Sequence, residues 1–443
     1  MSTAALERDA AAVRAAAREI TSCRDYDELL ELAGAAEVVL LGEATHGTEE
    51  FYAVRAELTR RLIVEKGFHA VAVEGDWPDS FRVHRHVTGR GADKSAAEAL
   101  GDFRRFPAWM WRNTVVEEFV EWLRQWNLHA SGGRGTAGFY GMDLYSLHTS
   151  IESVLKYLEE VDPAAAKRAR GRYACFDHFS VEPQEYGLAT TRHGKEPCEE
   201  KVIMQLLELR QRQEEMLRHG GQHEKEDFFS AEQNARLVMN AERYYRAMFY
   251  GRDESWNLRD THMFETLEEL HQHLGKAKMV VWAHNSHLGD ARATEMGRHG
   301  ELNVGELVRE RFQGRSLAVG FSTYTGSVTA ASDWGEPAER KRVRPAMRGS
   351  YEALFHATGL PRFWLNLRED NAATKLLEKE RLERAIGVIY RPETERTSHY
   401  FEACLPGQFD VMIHIDETHA LQPLESSSEW DSGEFPETYP SAL

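Results

Sequence analysis

Glu43 and His46 stand three residues apart in the stretch VVLLGEATHGTEEFY, just after four apolar residues and just before a helix-like pattern. Glu74, followed by Asp76 and Trp77, closes a second apolar run. Asp143 and Tyr145 close a third, and His284, Asn285 and His287 follow a fourth. A free imidazole titrates at about 6.5, near working pH, and so suits proton transfer. A carboxylate on its second nitrogen fixes the tautomer and stabilises the imidazolium. His46, with Glu43 before it and Glu74 on the next strand, therefore reads as a general base that activates water. His284 or His287 would then stabilise an oxyanion or protonate a leaving alkoxide. Such a set suits hydrolysis of an ester or similar acyl bond, with Asp76, Trp77, Asp143, Tyr145 and Asn285 as expected substrate contacts.

The same residue types permit a second chemistry. Two Glu and three His could hold one or two divalent ions with water in an open position, and spacing alone leaves that choice open. Each residue also has a plainer role. A Glu after a strand can assist a helix start, and His46 can cap one. One of His284 and His287 can be a buried, hydrogen-bonded ring beside a surface neighbour. Asp143 can brace a loop, and Arg55, two turns into its helix, reads as solvated. Repetition weighs against these roles, because strand after strand ends in a titratable group and such groups cluster at working sites.

Other chemistries lack their motifs. There is no G-x-S-x-G nucleophile elbow and no H-E-x-x-H. One G-x-G-x-x-G, at Gly133, Gly135 and Gly138, precedes the strand-like GFYGMD instead of following a strand, so it lacks the dinucleotide-binding context. No cysteine adjoins these polar sites, which leaves a Cys nucleophile without support.

Positioning these residues requires a sheet. Short apolar runs at 37–42, 69–74, 138–143, 278–284, 316–322, 362–367, 385–390 and 409–415 read as buried strands, most of them separated by helical patterns. After Gly47, residues Phe51, Val54, Leu58 and Leu62 repeat at helical spacing, Glu49 and Glu50 occupy the first turn, and Gly67 ends the helix. Residues 37–74 thus read as one β-α-β unit. Residues 150–275 hold long charged helical patterns and no strand, either as an insertion or as helices wrapped on the sheet. The fold class is α/β, a mostly parallel central sheet flanked by helices with a large helical insertion. In such a sheet ligands bind beyond the carboxyl ends of the strands, where the Glu and His residues would converge.

The 443 residues are read as one domain over 1–423, with a loose acidic tail at 424–443. The formal net charge of −18 disfavours nucleic acid and anionic membranes as partners. No apolar run approaches the ~18 residues of a transmembrane helix, and the charged N-terminus lacks a signal-peptide core. Cys23, Cys175, Cys198 and Cys404 form no close pair in sequence, which fits neither a disulfide framework nor a zinc cage and suits a cytoplasmic setting. Residues 333–349 form a basic loop whose run Arg340, Lys341, Arg342, Arg344 would either greet an anionic substrate or stay solvated.

The stretch L-G-E-A-T-H-G-T-E-E-F resembles the signature of the erythromycin esterase family. So do E-G-D-W from Glu74, the segment from Tyr140 to Tyr145, W-N-L-R-D-T-H-M from Trp256, and W-A-H-N-S-H-L-G-D from Trp282. These matches run from about residue 20 to 420 in the family's order. The resemblance implies a metal-independent hydrolase without cofactor, in which the His of the first motif activates water against a lactone ester of a small molecule. Carried over, that residue is His46, supported by Glu43, Glu74, Arg55, His284 and His287. Arg55 enters through the resemblance alone. The family also includes members labelled as polysaccharide-biosynthesis proteins, so a binding or accessory protein without turnover stands as a further reading beside the metal-dependent hydrolase.

Overall fold

The runs VVLL, AVAV and MVVW are apolar at every position because both faces of their strands are covered. In a computed structural model of the chain, which describes residues 3–129, 136–178, 183–192, 194–211, 221–427 and 430–431, these runs are neighbours in one sheet. The strands are β1 (Arg18–Glu19), β2 (Val38–Leu41), β3 (Phe68–Asp76), β4 (Gly138–Asp143), β5 (Lys278–Trp282), β6 (Ser316–Ala330), β7 (Glu339–Val343), β8 (Arg362–Asn366), β9 (Arg381–Arg384), β10 (Tyr400–Ala403) and β11 (Val411–Thr418). Nine of them form a sheet in the order β1-β8-β11-β6-β2-β5-β3-β4, with β7 paired to β6; β9 and β10 pair separately. From β11 to β4 every pairing is parallel, while β8, β1 and β7 are antiparallel additions.

Alternate residues of the central strands enter two cores. Val38, Leu40, Ala70, Ala72, Met279 and Val281 pack with the helices of residues 147–273, through Leu158, Leu237, Val238 and Leu267 among others. Val39, Leu41, Val71, Val73, Val280 and Trp282 face the opposite layer, where Phe51, Leu58, Leu62, Val116, Phe119 and Leu123 lie. The helical segment is thus inserted in sequence between β4 and β5 but lies as a layer on one face of the sheet.

The helix Glu49–Lys66 begins at Thr48 and stops at Gly67, whose φ of 69° is left-handed and favours glycine. Gly47 is fixed for a different reason: a Cβ there would sit 1.8 Å from the carbonyl oxygen of Thr329. Close approach of β6 to this turn therefore sets how the site begins.

Several expectations change. β2 and β3 are parallel but not adjacent, since β5 lies between them; a strand arriving two hundred residues later cannot be read from local patterning. The run at 385–390 joins no ladder. Its Ile386 and Ile389 make single bridges to Thr45 and Ala331. The basic stretch is partly β7, and its lysine and arginines are engaged: Lys341 donates to Ser332, Arg340 to the Asp431 carbonyl and Arg344 to the Pro392 carbonyl. Cysteines distant in sequence do meet in space. Cys175 and Cys198 form a disulfide with Cα atoms 6.0 Å apart, and Cys23 and Cys404 are free. A cytoplasmic setting thereby loses the support drawn from cysteine spacing. Among the described residues no helix is long and apolar enough to cross a membrane. In the stretch expected to be a tail, Trp430 is buried and its indole donates to Thr329; residues 432–443, like Gly133 and Gly135, lie outside the described residues.

Candidate active site

Register aligns the ends of three central strands. Leu41 and Val73 both lie beside Trp282. The next residues along each strand, at 43, 74 and 284, therefore leave the sheet at one edge. Their side chains meet there. His46 Nε2 is 4.0 Å from Glu74 Oε1, the rings of His46 and His284 have centroids 4.8 Å apart, and the His284 amide donates to Glu74 Oε2 at 2.8 Å.

His46 is held from behind. Its Nδ1 lies 2.9 Å from Glu43 Oε1, so it donates to the carboxylate and leaves the Nε2 lone pair free. Glu43 is ion-paired in turn with Arg55 at 2.6 Å. Arg55 is fully buried, its guanidinium 4.2 Å from the Tyr52 ring and 5.2 Å from that of Trp282. The solvated role expected for Arg55 is thus corrected: its position on the helix faces the sheet, and the Glu43 charge and two aromatic faces offset its burial.

His284 caps the short helix Asn285–Leu288, its Nδ1 accepting from the Ser286 amide at 3.3 Å and lying 2.8 Å from the Ser286 hydroxyl. That places the proton on Nε2, which has no hydrogen-bond partner among the described residues. Burial first, and the His46 ring second, push the His284 pKa down to about 3, with Glu74 opposing. The ring is neutral at any working pH.

The third histidine sits in a denser network. His287 Nδ1 lies 2.9 and 3.0 Å from the two oxygens of Asp260, and its ring stacks on Trp256 with centroids 4.6 Å apart. Its Nε2 is 3.4 Å from Glu74 Oε1 and 3.0 Å from Arg259 Nη1. Burial would lower this imidazole, but the carboxylates of Asp260 and Glu74 outweigh burial and Arg259 together and raise it to about 9. Arg259 also donates to Asp143 through Nε at 2.9 Å and to Glu74 through Nη2 at 2.8 Å. Burial works to raise Glu74, yet His287, His46 and Arg259 hold it well below the usual carboxylate range.

These groups line a cavity of about 500 Å³. Of the expected substrate contacts, Asp76, Asp143 and Tyr145 line it. Tyr145 lies between two guanidiniums, Arg105 at 4.6 Å and Arg259 at 5.0 Å from its ring. Trp77 and Asn285 do not line it. The Trp77 indole is packed between Phe81, Tyr140 and Phe229 and donates to Ser230. Asn285 clamps strand ends, donating to the Phe321 carbonyl at 2.8 Å and accepting from the Phe321 amide at 3.3 Å. Residues 385–388, read from sequence as a strand, form a wall through Ala385, Gly387 and Val388.

Arg259 and Asp260 were not singled out because they lie mid-helix, at no strand end. The block W-N-L-R-D-T-H-M, already noted for its resemblance, was the signal that held them. Trp111, whose indole donates to the Glu74 carbonyl at 3.1 Å, had no such signal.

Two other chemistries can be tested against this geometry. Among the described residues no three His, Cys, Asp or Glu groups are arranged to hold a metal ion. Two of the carboxylates at the cavity, Glu74 and Asp143, are already paired with Arg259, a fixed positive charge beside them. Ser322, His414 and Asp416 form a Ser-His-Asp contact line, with Ser322 Oγ 2.9 Å from His414 Nδ1 and His414 Nε2 3.4 Å from Asp416. Ser322 and His414 are buried in the sheet and do not line the cavity, so this line braces β6 against β11.

A parallel sheet whose central strands end in a buried Glu-His-Arg set around a cavity defines a hydrolase-like α/β protein. The family model for erythromycin esterase matches residues 63–418, and the chain belongs to the erythromycin esterase family. It is similar to a putative hydrolase, YbfO, of Bacillus subtilis (strain 168), with 23% identity over 360 residues, 73% of this chain and 72% of the relative. It is also similar to an erythromycin esterase type II of Escherichia coli, with 22% identity over 403 residues, 84% of this chain and 93% of the relative. The fold is shared with a solved succinoglycan biosynthesis protein at a TM-score of 0.78 and 19% identity, over 96% of this chain and 100% of that one.

Proposed function

We propose that the protein is an esterase that hydrolyses a carboxylic ester or lactone with a water activated by His46. The observation that carries this reading is the hydrogen bond from His46 Nδ1 to Glu43, which leaves Nε2 as a base at the cavity wall without any serine or cysteine elbow. Nε2 takes a proton from water, and the water oxygen adds to the ester carbonyl carbon. The resulting oxyanion is met by neutral His284, a donor through Nε2, with Arg259 and His287 supplying positive charge nearby. The proton on His46 then passes to the departing alkoxide as the carbonyl re-forms. Glu43 and Arg55 orient the base, and Glu74 links the imidazoles of His46 and His287 to the backbone of His284. The reading is metal-independent, supported by the guanidinium of Arg259 that already pairs with Glu74 and Asp143. Family membership and the names of the relatives support hydrolase activity in general; the small-molecule ester remains part of the proposal.

The deciding experiment screens esters and lactones, macrolides and acylated sugars included, and then assays His46→Asn, folded by circular dichroism, on whichever the wild type cleaves. A loss of ~10²–10⁴-fold in kcat is expected. Unchanged turnover would remove His46 as the base.

A further inference from the structure

His284 can donate into the cavity only while its proton stays on Nε2. An unconstrained neutral imidazole carries its proton on either nitrogen, and the hydrogen bond at one nitrogen decides the state of the other. At Nδ1 the two contacts both come from Ser286. Its amide points at Nδ1 from 3.3 Å, and its hydroxyl lies closer, at 2.8 Å. The amide can only donate, so Nδ1 is the acceptor and the hydroxyl must donate to it as well. A serine near a helix start ordinarily bonds to neighbouring backbone. Here the hydroxyl meets the ring instead, and Ser286 is among the residues that line the cavity.

We propose that Ser286 is a positioning residue, whose hydroxyl fixes the tautomer of His284 and so keeps the Nε2 proton available to the oxyanion. The inference rests on the reading of His284 as the oxyanion donor. The backbone around Ser286 is anchored at three successive residues. The His284 amide donates to Glu74 Oε2 at 2.8 Å, the Asn285 amide to the Glu43 carbonyl at 2.8 Å, and Asn303 Nδ2 to the Ser286 carbonyl at 2.8 Å. The hydroxyl therefore meets the ring from a fixed point. Burial already keeps the ring neutral, with its pKa down at about 3, so what remains to be set is which nitrogen carries the proton. A proton on Nδ1 would leave a lone pair at Nε2, which would repel the oxyanion instead of binding it.

Nitrogen NMR of the full chain labelled with 15N-histidine reads the tautomer, with His284 identified by the loss of its signals in His284→Ala. The wild type should carry the proton on Nε2. Ser286→Ala keeps the amide and removes the hydroxyl, and should raise the share of the Nδ1-protonated form about tenfold, the worth of one hydrogen bond. Ser286→Thr, which keeps a hydroxyl, should restore the wild-type pattern. On an ester that the protein cleaves, Ser286→Ala should lower kcat about tenfold with KM unchanged, and Ser286→Thr should recover it. Should Ser286→Ala fail to fold by circular dichroism, Ser286→Cys, with its weak donor, provides the same comparison. A wild-type ring protonated on Nδ1, or a tautomer that does not respond to loss of the hydroxyl, overturns the proposal, even where kcat falls. The tautomer is read without substrate, so an inactive protein would retire the esterase reading and leave this test standing.

Discussion

Glu43 Oε1 lies 2.9 Å from His46 Nδ1 while Glu43 Oε2 lies 2.6 Å from Arg55, so one buried carboxylate both aims the imidazole and neutralises the guanidinium. Removing its charge should slow the reaction without emptying the cavity. Glu43→Gln is expected to lower kcat by ~10²-fold, toward the loss expected for His46→Asn, with KM nearly unchanged. Steady-state kinetics on the best ester of the panel gives the answer. An unaltered kcat would mean that the orientation of His46 does not depend on Glu43.

The same pair carries stability. Arg55 and Glu43 are both fully buried, and among the described residues Arg55 has no second carboxylate. Arg55→Met leaves a bare carboxylate inside the protein, a change that costs ~3–5 kcal/mol. The double variant Glu43→Gln/Arg55→Met should recover a large part of this, because the uncompensated charge is gone. Urea unfolding of the single and double variants measures both numbers. Independent, additive losses would show that the two charges do not compensate one another.

How these residues could be found beforehand depends on their place in the chain. Glu43, Glu74 and His284 were legible because each ends an apolar run, and a run buried on both faces forces its next polar residue out at the sheet edge. Their convergence followed from parallel strands alone, whatever the strand order, so misplacing β5 outside the β2–β3 pair did no harm. Arg55 was misjudged because helical spacing says which residues share a face but not what lies opposite; Glu43 and two aromatic rings waited there. Arg259 and Asp260 reach the site from the middle of a helix on the covering layer, where no edge rule applies. Asn285 has the right position and the wrong direction, turned back to the Phe321 backbone. The antiparallel strands β1, β7, β9 and β10 were missed because they are short, most of them polar, and their pairing comes from tertiary contacts.

His287 fixes a pH dependence. Its pKa is raised to about 9, above the ~6.5 of an unfolded imidazole. A raised histidine stabilises the fold fully below the unfolded value, and the contribution fades as pH rises through the folded one. The advantage of wild type over His287→Gln in thermal midpoint should therefore be constant below about pH 6 and shrink between about pH 6.5 and 9. A difference that stays flat over this window would show that the folded ring is neutral, accepting from Arg259 instead of donating to Glu74.

Metal removal should change nothing. Dialysis against a chelator is expected to leave turnover and thermal midpoint where they were, and elemental analysis of protein purified without chelator should find far less than one zinc, manganese or iron per chain. The physical ground is Arg259, whose guanidinium already neutralises Glu74 and Asp143 and would repel a divalent ion placed between them. Loss of activity on dialysis, restored by one added ion, would transfer the role of activating water from His46 to that metal.

Trp334 separates binding from chemistry. It is 57% exposed, yet it lines the cavity and packs edge-on against Phe106 with ring centroids 5.0 Å apart. An indole left in water at a cavity mouth contributes little to folding, so Trp334→Ala should alter stability by less than ~0.5 kcal/mol. What it offers is an apolar face to the part of the substrate that projects outward, far from the reacting carbonyl. Contacts of that kind are made equally in the ground state and the transition state, and removing them raises KM while leaving kcat alone. An increase in KM of roughly tenfold is expected, the scale of a buried aromatic contact at a binding surface. A fall in kcat instead would place Trp334 in the closing of the cavity over the reaction, and no change in either constant would put the substrate's path elsewhere along the wall.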